Sequence, residues 1–358
     1  MPRLAVTDWP QSRLTKLLGT RYPIVQAPMA GGPSTTRLVV AVSEAGGLGS
    51  IAGALLAPNE LRAAIRAVRE QTARPFAVNV FAPPPPVDAD AKAVEMVRGE
   101  LAQHRRRLGL TEAAPPPPQD WTVDDQLAVV VEERVPVLSF TFGIPPLDGL
   151  TDQVLIGTAT TPTEAVALEH AGVDVIVAQG AEAGGHRGTF IGSFTDGLIG
   201  IVALVPQTVD AVSAPVIASG GIVDGRGIAA ALTLGAEGVQ LGTAFLFCTE
   251  SGASPAWRRA LRTLPTVVND AYTGRPARGA LTPFVAELAA GPPPAPYAVQ
   301  RALTADFKSV DGYGWYLGGQ GADLARELPA AEVVATLVAE TTTALARATQ
   351  AHTRSSMR

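Results

Sequence analysis

The chain is predicted to fold as an α/β protein, a (β/α)8 TIM barrel with a smaller, mainly helical second unit. Three observations predict it. Eight short apolar runs rich in β-branched residues recur along the chain, helix-length segments lie between most of them, and several runs end in glycine or polar residues. The 358 residues suffice for one large barrel with additions, and a 47% apolar content can bury its core.

Ile24 to Ala30 reads as the first strand, ending at Pro28 and a Gly31-Gly32 turn. Ser34 or Thr35 is placed to cap a helix running to about Ala45. Gly46-Gly47 stops that helix, and Leu48 to Ala52 is the second strand. Pro58 opens a helix with Leu61, Ile65 and Val68 at helical spacing, and Phe76 to Phe81, carrying Asn79, is the third strand. The pattern then breaks. Pro83 to Pro86, an amphipathic helix with Val94, Val97, Leu101 and Leu108 on one face, and Pro115 to Pro118 form an excursion. It is either a lid or side domain above the barrel, or a helix docked on its surface.

Trp121 to Glu133 is helical, and Val137 to Phe142 and Val154 to Ala159 are strands four and five. Only residues 143–153 separate these two, so a vestigial helix is expected there. Pro162 opens a helix to Ala171, and Val173 to Ala178 is strand six. A helix from Gly197 to Val212, a strand from Pro215 to Ser219, a helix from Gly225 to Leu234 and a strand from Gly238 to Leu246 complete eight units. The barrel then takes 1–82 and 119–260, and the smaller helical unit 83–118 and 261–358.

Net charge is −5 with dispersed basic residues, which argues against a nucleic-acid partner. The single cysteine, Cys248, fits a reducing compartment. The first ten residues hold no apolar run of a leader, and no run reaches the roughly 18 residues of a membrane span. A cytoplasmic protein is expected.

Barrel chemistry sits at the C-terminal ends of the strands. Those ends offer Ala27-Pro28-Met29, Asn79, Gln179 with the glycine-rich loop that holds His186, then Ser219-Gly220-Gly221 and Gln240-Leu241-Gly242-Thr243. Loops after the last two barrel strands commonly bind phosphate, because glycines let backbone N–H groups approach an anion. Glycine pairs alone could also serve only tight turns, but two neighbouring strands ending this way favour a phosphate-bearing ligand. His186 stands between glycines, where packing gives it no reason to be, and it titrates near neutral pH in the ordinary case. His170, at a helix C-terminus, has a dipole-compensating role, and His104 on the excursion helix is expected to be solvated unless that helix folds over the site. No pair of histidines has metal-ligand spacing, so no metal is expected, and neither a Gly-x-Ser-x-Gly elbow nor a Walker loop occurs. Gly47-x-Gly49-x-x-Ala52 and Gly225-x-Gly227-x-x-Ala230 match the dinucleotide fingerprint weakly and in the wrong fold context.

Gln26-Ala-Pro-Met-Ala-Gly31, Ala45-Gly-Gly-Leu-Gly49, Gln179-Gly-Ala-Glu-Ala-Gly-Gly-His-Arg-Gly188, Ala218-Ser-Gly-Gly-Ile222 and Gln240-Leu-Gly-Thr243 together resemble the nitronate monooxygenases, once called 2-nitropropane dioxygenases. The resemblance extends to Gly274-Arg-Pro-Ala-Arg278 and Gly319-Gln320-Gly321. It implies an FMN-binding barrel that oxidises alkyl nitronates, and nitroalkanes where a base is available, with O2 to carbonyl compounds and nitrite. On that resemblance Ala27, Pro28 and Met29 would line the flavin ring, Asn79 and Gln179 would hydrogen-bond it, and Gly184 would pack beside it. Gly220, Gly221 and Gln240, Leu241, Gly242 and Thr243 would hold the phosphate, His186 would be catalytic, and Tyr297 and Lys308 would lie on the substrate side. The chain departs from the family near Gln103-His104, where a substrate-facing tyrosine is usual; no tyrosine occurs between Tyr22 and Tyr272. The partners implied are a small nitronate and O2, in a monomer or homodimer. An NAD(P)H-dependent quinone or enoyl-thioester reductase on the same fold is the alternative, and a non-catalytic flavin- or phosphate-binding protein the third reading.

Overall fold

The computed structural model describes residues 9–83, 90–111 and 120–356. The first eight residues, part of the stretch read for a leader, lie outside these, as do the second proline run and all but Pro83 of the first.

A short plug comes first. Ser12 caps helix α1 (Arg13–Leu18) in a reciprocal box with Thr15, and Gly19 ends it at φ 67°. Strand β1 (Ile24–Gln26), helix α2 (Thr36–Glu44), strand β2 (Gly49–Ala52), helix α3 (Pro58–Arg69) and strand β3 (Phe76–Phe81) then alternate. Thr35 is the residue that caps α2, accepting from Leu38 N–H. The Ser34 hydroxyl turns inward instead, accepting from Met29 N–H and from the Gln26 side chain. Helix α4 (Ala91–Leu108) is the excursion. Helix α5 (Val123–Glu132) leads back to strands β4 (Val137–Thr141) and β5 (Val154–Ala159). Next come helix α6 (Pro162–His170), strand β6 (Val175–Gln179), the two-residue strand β7 (Gly185–His186), helix α7 (Ile201–Ala211), strand β8 (Val216–Ser219), helix α8 (Gly225–Thr233), strand β9 (Gly238–Leu241) and the single-turn helix α9 (Thr243–Leu246). The C-terminal segment holds helix α10 (Pro255–Thr263), strands β10 (Thr266–Asn269) and β11 (Ala277–Ala280), helices α11 (Pro283–Ala290) and α12 (Tyr297–Leu303), and the long helix α13 (Ala330–Ser356).

Eight strands pair in parallel in the order β1-β9-β8-β6-β5-β4-β3-β2. A parallel bridge between Val25 and Leu48, with Gln26 N–H donating to Leu48 O at 2.9 Å, joins the ends of the series and closes the (β/α)8 barrel. One apolar cluster takes Val25, Ala77, Val137, Ile156, Val175, Val177 and Ile217 from the strands and Leu14 and Leu18 from α1. A Cβ on Gly238, the first residue of β9, would stand 2.5 Å from Leu14. Among the described residues, helix α1 therefore stops the N-terminal end of the barrel, and the cavity opens at the end where the strands finish.

Three expectations change. Residues 143–153 contain no helix; β4 and β5 are joined by bends and turns alone. Strand β9 ends at Leu241, because Gly242 takes a helical ψ of −64° and the apolar run after it forms α9. His104 is not solvated: it is 1% exposed, with its ring edge-on to Phe284 at 4.8 Å. It shares a separate core with Val97 and Leu101 of α4 and Phe284, Leu288, Leu303 and Phe307 of the C-terminal segment. Helix α13, by contrast, lies on the barrel, where Val333, Val334 and Leu337 join the core beneath α8. Among the described residues no helix is long and apolar enough to cross a membrane.

Candidate active site

A cavity of about 420 Å³ opens at the C-terminal ends of the barrel strands. That volume lies within the ~300–1,000 Å³ usual for cofactor and ligand sites. Its lining includes Ala27, Pro28, Met29, Asn79, Gln179, Gly184, His186, Gly220, Gly221, Gln240, Gly242 and Thr243 from the barrel, and Tyr297 and Lys308 from the C-terminal segment. Thus all but one of the residues singled out in the sequence meet in one place. The exception is Leu241. Side chains alternate along a strand, so Gln240 faces the cavity and Leu241 packs outward among the helices, 1% exposed. No described residue of the α4 excursion lines the cavity.

The barrel side of the cavity is made of close-approaching backbone. Gly220 and Gly221 take φ values of +126° and +68°, which disfavour any other residue, and a Cβ on Gly220 would stand 3.0 Å from Ala183 N. Gly184 lies against Gly318 and Gly319 so closely that a Cβ there would meet Gly318 C and Gly319 N at 2.5 Å. Gly319 N–H donates to the Thr243 hydroxyl at 2.9 Å, which ties this late glycine loop to the end of the last strand.

The histidine loop is held by its own neighbours. Gln179 spans it: Nε2 donates to His186 O at 3.0 Å and Oε1 accepts from Gly188 N–H at 2.8 Å. Arg187 is fully buried and donates to the carbonyls of Gly180, Gln179 and Gly197, so this arginine staples the loop and does not face the cavity. Glu164, also fully buried, accepts from Phe190 and Ile191 N–H and fixes the loop's far end. Strand β7 then pairs antiparallel with β11, Ala277 opposite His186, and β11 pairs with β10. This small sheet carries Thr273 and Arg275 to the histidine.

His186 is flanked by aromatic rings and cations. Its ring meets Tyr297 edge-on at 5.3 Å and Phe142 at 6.1 Å, and Nε2 lies 2.9 Å from the Thr273 hydroxyl. The Arg275 guanidinium sits 3.8 Å over the Phe142 ring and donates to the carbonyls of Arg187 and Thr189. Phe142 holds this position at φ 79°, a strained value for an aromatic residue. The Arg301 guanidinium stands 5.9 Å from the Tyr297 ring, and Lys308 Nζ donates to Gly31 O at 3.1 Å. Enclosure, and then the positive charges of Arg275 and Arg301, push His186 down to about 3. The neutral-range titration expected from the sequence is therefore not found; the ring is uncharged at pH 7. Burial lowers Arg275 only to about 10, so its charge stays.

Thr273, Arg275, Phe142 and Arg301 were not singled out in the sequence. Two had a signal: Arg275 lies inside the Gly274–Arg278 motif, and Arg301 is four residues, one helical turn, after Tyr297. Phe142 and Thr273 had none, because strain and the sheet that delivers Thr273 are properties of the folded chain.

Residues 11–340 match the profile of the nitronate monooxygenase family. The chain belongs to that family. A probable nitronate monooxygenase of Staphylococcus saprophyticus is 43% identical over 304 residues, 82% of this chain and 85% of the relative. Another, from Staphylococcus aureus, is 39% identical over 349 residues, covering 92% and 97%. Among solved structures, a nitroalkane oxidase from Streptomyces ansochromogenes superposes with a TM-score of 0.85 at 41% identity, over 93% of this chain and 99% of that one. FabK from Thermotoga maritima follows with a TM-score of 0.74 at 30% identity, over 95% and 99%. The protein is thus an oxidoreductase of the nitronate monooxygenase family.

Proposed function

We propose that the enzyme oxidises alkyl nitronates, and the nitroalkanes from which they form, with O2 to a carbonyl compound and nitrite, using FMN. The observation that carries this reading is the placement of an uncharged His186 beside Arg275 and Arg301, opposite a glycine-built wall in a single cavity. The residues present fit the flavin. Ala27, Pro28 and Met29 offer an apolar face, and a Cβ on Gly242 would touch nothing nearer than Ala27 at 3.5 Å, so that strand end leaves room for a flat ring. Gly220, Gly221, Gly242 and Thr243 would receive the phosphate, and Asn79, whose Nδ2 donates to Ser139, keeps its oxygen for the ring. When bound, FMN supplies the electron transfer that this set of side chains lacks.

This chain's own residues select and orient the substrate. A nitronate is an anion, and Arg275, Arg301 and Lys308 set a positive field where it would lie. Two N–H donors of Arg275 are held by carbonyls, so it acts as a fixed charge and not as a movable clamp. An anion arriving beside His186 opposes the field of the arginines and raises the affinity of the ring for a proton. Tyr297, edge-on to His186, excludes water from its face.

Replacing His186 with Asn tests the reading: turnover of nitroethane is abolished while FMN stays bound, as read by oxygen uptake and by the flavin spectrum. Full activity in that variant, or a purified protein unable to take up FMN, sinks it. Anaerobic mixing with NADH separates it from an NAD(P)H-dependent reductase, for which the flavin would bleach rapidly.

A further inference from the structure

A hydroxyl carries one proton, and the Thr273 hydroxyl has two neighbours that can accept one. The Thr273 hydroxyl lies 3.1 Å from Arg275 O and 2.9 Å from His186 Nε2. A carbonyl oxygen can only accept, whereas a ring nitrogen can donate or accept, so both contacts are hydrogen bonds only when the Thr273 proton points to Arg275 O. In that arrangement a lone pair faces His186, and the ring nitrogen opposite it carries the hydrogen. Nδ1 of the uncharged ring is then bare, and it meets no protein donor among the described residues.

The geometry around this relay is fixed from every side. Thr273 is 6% exposed, and its N–H donates to Asp270 O at 3.2 Å. Gly274 takes φ +74°, and a Cβ there would stand 2.1 Å from Ala295 O, so the turn has no slack. The Arg275 carbonyl is anchored by its own side chain, bound to the loop after His186. The histidine backbone is locked by pairing with Ala277.

Building on the function proposed above, we propose that Thr273 is a positioning residue that holds His186 as the Nε2–H tautomer, so that Nδ1 is the base that takes the α-proton of a neutral nitroalkane. In that step the C–H bond breaks and its electron pair becomes part of the carbon–nitrogen double bond of the nitronate. The new N–H bond forms at Nδ1, and the imidazolium keeps its Nε2–H on Thr273. The nitronate anion is left beside Arg275 and Arg301. A nitronate supplied ready-made offers no proton to a bare nitrogen, so its oxidation leans on the cations and less on Thr273.

The test uses the FMN-loaded enzyme with nitroethane and with ethyl nitronate, and ¹⁵N-histidine spectra of the resting protein assigned with His186→Asn. In the native enzyme the His186 spectrum shows a protonated Nε2 and an unprotonated Nδ1. Thr273→Val leaves Nε2–H without an acceptor. It mixes the tautomers and lowers kcat/KM for nitroethane about tenfold or more, part of the ~10²–10⁴ that a placed base contributes, and lowers that for ethyl nitronate several-fold less. Thr273→Ser restores both spectrum and rate. A native spectrum with the proton on Nδ1 overturns the proposal. So does an equal loss on both substrates in Thr273→Val, or a native enzyme that oxidises ethyl nitronate and not nitroethane. A native enzyme inert toward both substrates would refute the function proposed above, and the spectra would still decide the tautomer.

Discussion

The two walls of the cavity are made of different material. The barrel wall presents backbone: Gly184, Gly220, Gly221 and Gly242 stand where a side chain would collide or fill space. The rest of the lining presents side chains: His186 on its loop, and Thr273, Tyr297, Arg301 and Lys308 from the C-terminal segment, with Arg275 packed behind them on Phe142. A wall of backbone has shape and little adjustable charge, which suits a large flat cofactor that never changes. A wall of charges and rings sets polarity and proton transfer, which suits a small anionic substrate. Substitutions on the first wall should therefore act through sterics and be indifferent to salt and pH, and those on the second should act through charge.

The largest effect expected on the first wall is that of Gly184→Ala. The new Cβ would sit 2.5 Å from two backbone atoms, Gly318 C and Gly319 N, and neither is the end of a flexible side chain. The loop must move, at about 1–3 kcal/mol, and with it the strand-end tie from Gly319 to Thr243. FMN content after purification should fall to near zero and the melting temperature should drop, alike at low and high salt. Gly99→Ala, on the helix α4 surface with nothing within 4 Å, is the control and should stabilise slightly. A Gly184→Ala protein that retains its flavin and melting point would break the steric account of this wall.

Behind the second wall, Arg275→Met is expected to weigh less on folding and more on rate. It leaves the Arg187 and Thr189 carbonyls without their donor and takes one of two cations from beside His186. A charge-assisted interaction of this kind contributes about 1.5–3 kcal/mol, so kcat/KM for ethyl nitronate should fall about 10- to 100-fold with FMN still bound. Arg275→Lys should not recover it, because a single ammonium cannot span two carbonyls and lie flat on Phe142. Recovery by lysine would mean that net charge alone matters there.

The two walls also differ in how much of them the sequence discloses. The barrel wall follows from local rules: Thr35 and Pro58 start helices where a cap and an N1 proline should, and the apolar runs of β6, β8 and β9 end at Gly180, Gly220 and Gly242. The charged wall depends on β7 and β11, strands of two and four residues, too short to show a period, which bring Thr273 to His186 across 87 positions of chain. Where local rules failed, they were ambiguous. The run after Gly242 is apolar whether strand or helix, and only the backbone of Gly242 decides. His104 looked solvated beside three arginines, yet Val97, Leu101, His104 and Leu108 fall at steps of four, three and four, the spacing of one buried helical face.

That buried face supplies the smallest expected effect and a finer test of what the charged wall is. Two histidines are held below their ordinary value. His104 is lowered by burial and then by Arg107, against the opposing pull of Glu287 and Glu100, and both its ring nitrogens lack a hydrogen-bond partner. His186 is lowered by enclosure and then by two arginines. In both cases the folded state binds a proton less readily than the unfolded chain. Below pH 6.5 the unfolded chain therefore takes up more protons, and stability falls as the pH falls, for His186 down to about 3. Replacing either histidine should flatten the decline of melting temperature between pH 7 and 5. The two replacements should part company when an anion is added. A nitronate analogue raises the proton affinity of His186 and should flatten the slope in the native protein and in His104→Leu, but not in His186→Asn, where no titrating group faces it. If the anion leaves the native slope untouched, His186 does not feel the ligand's charge, and the second wall is no more electrostatic than the first.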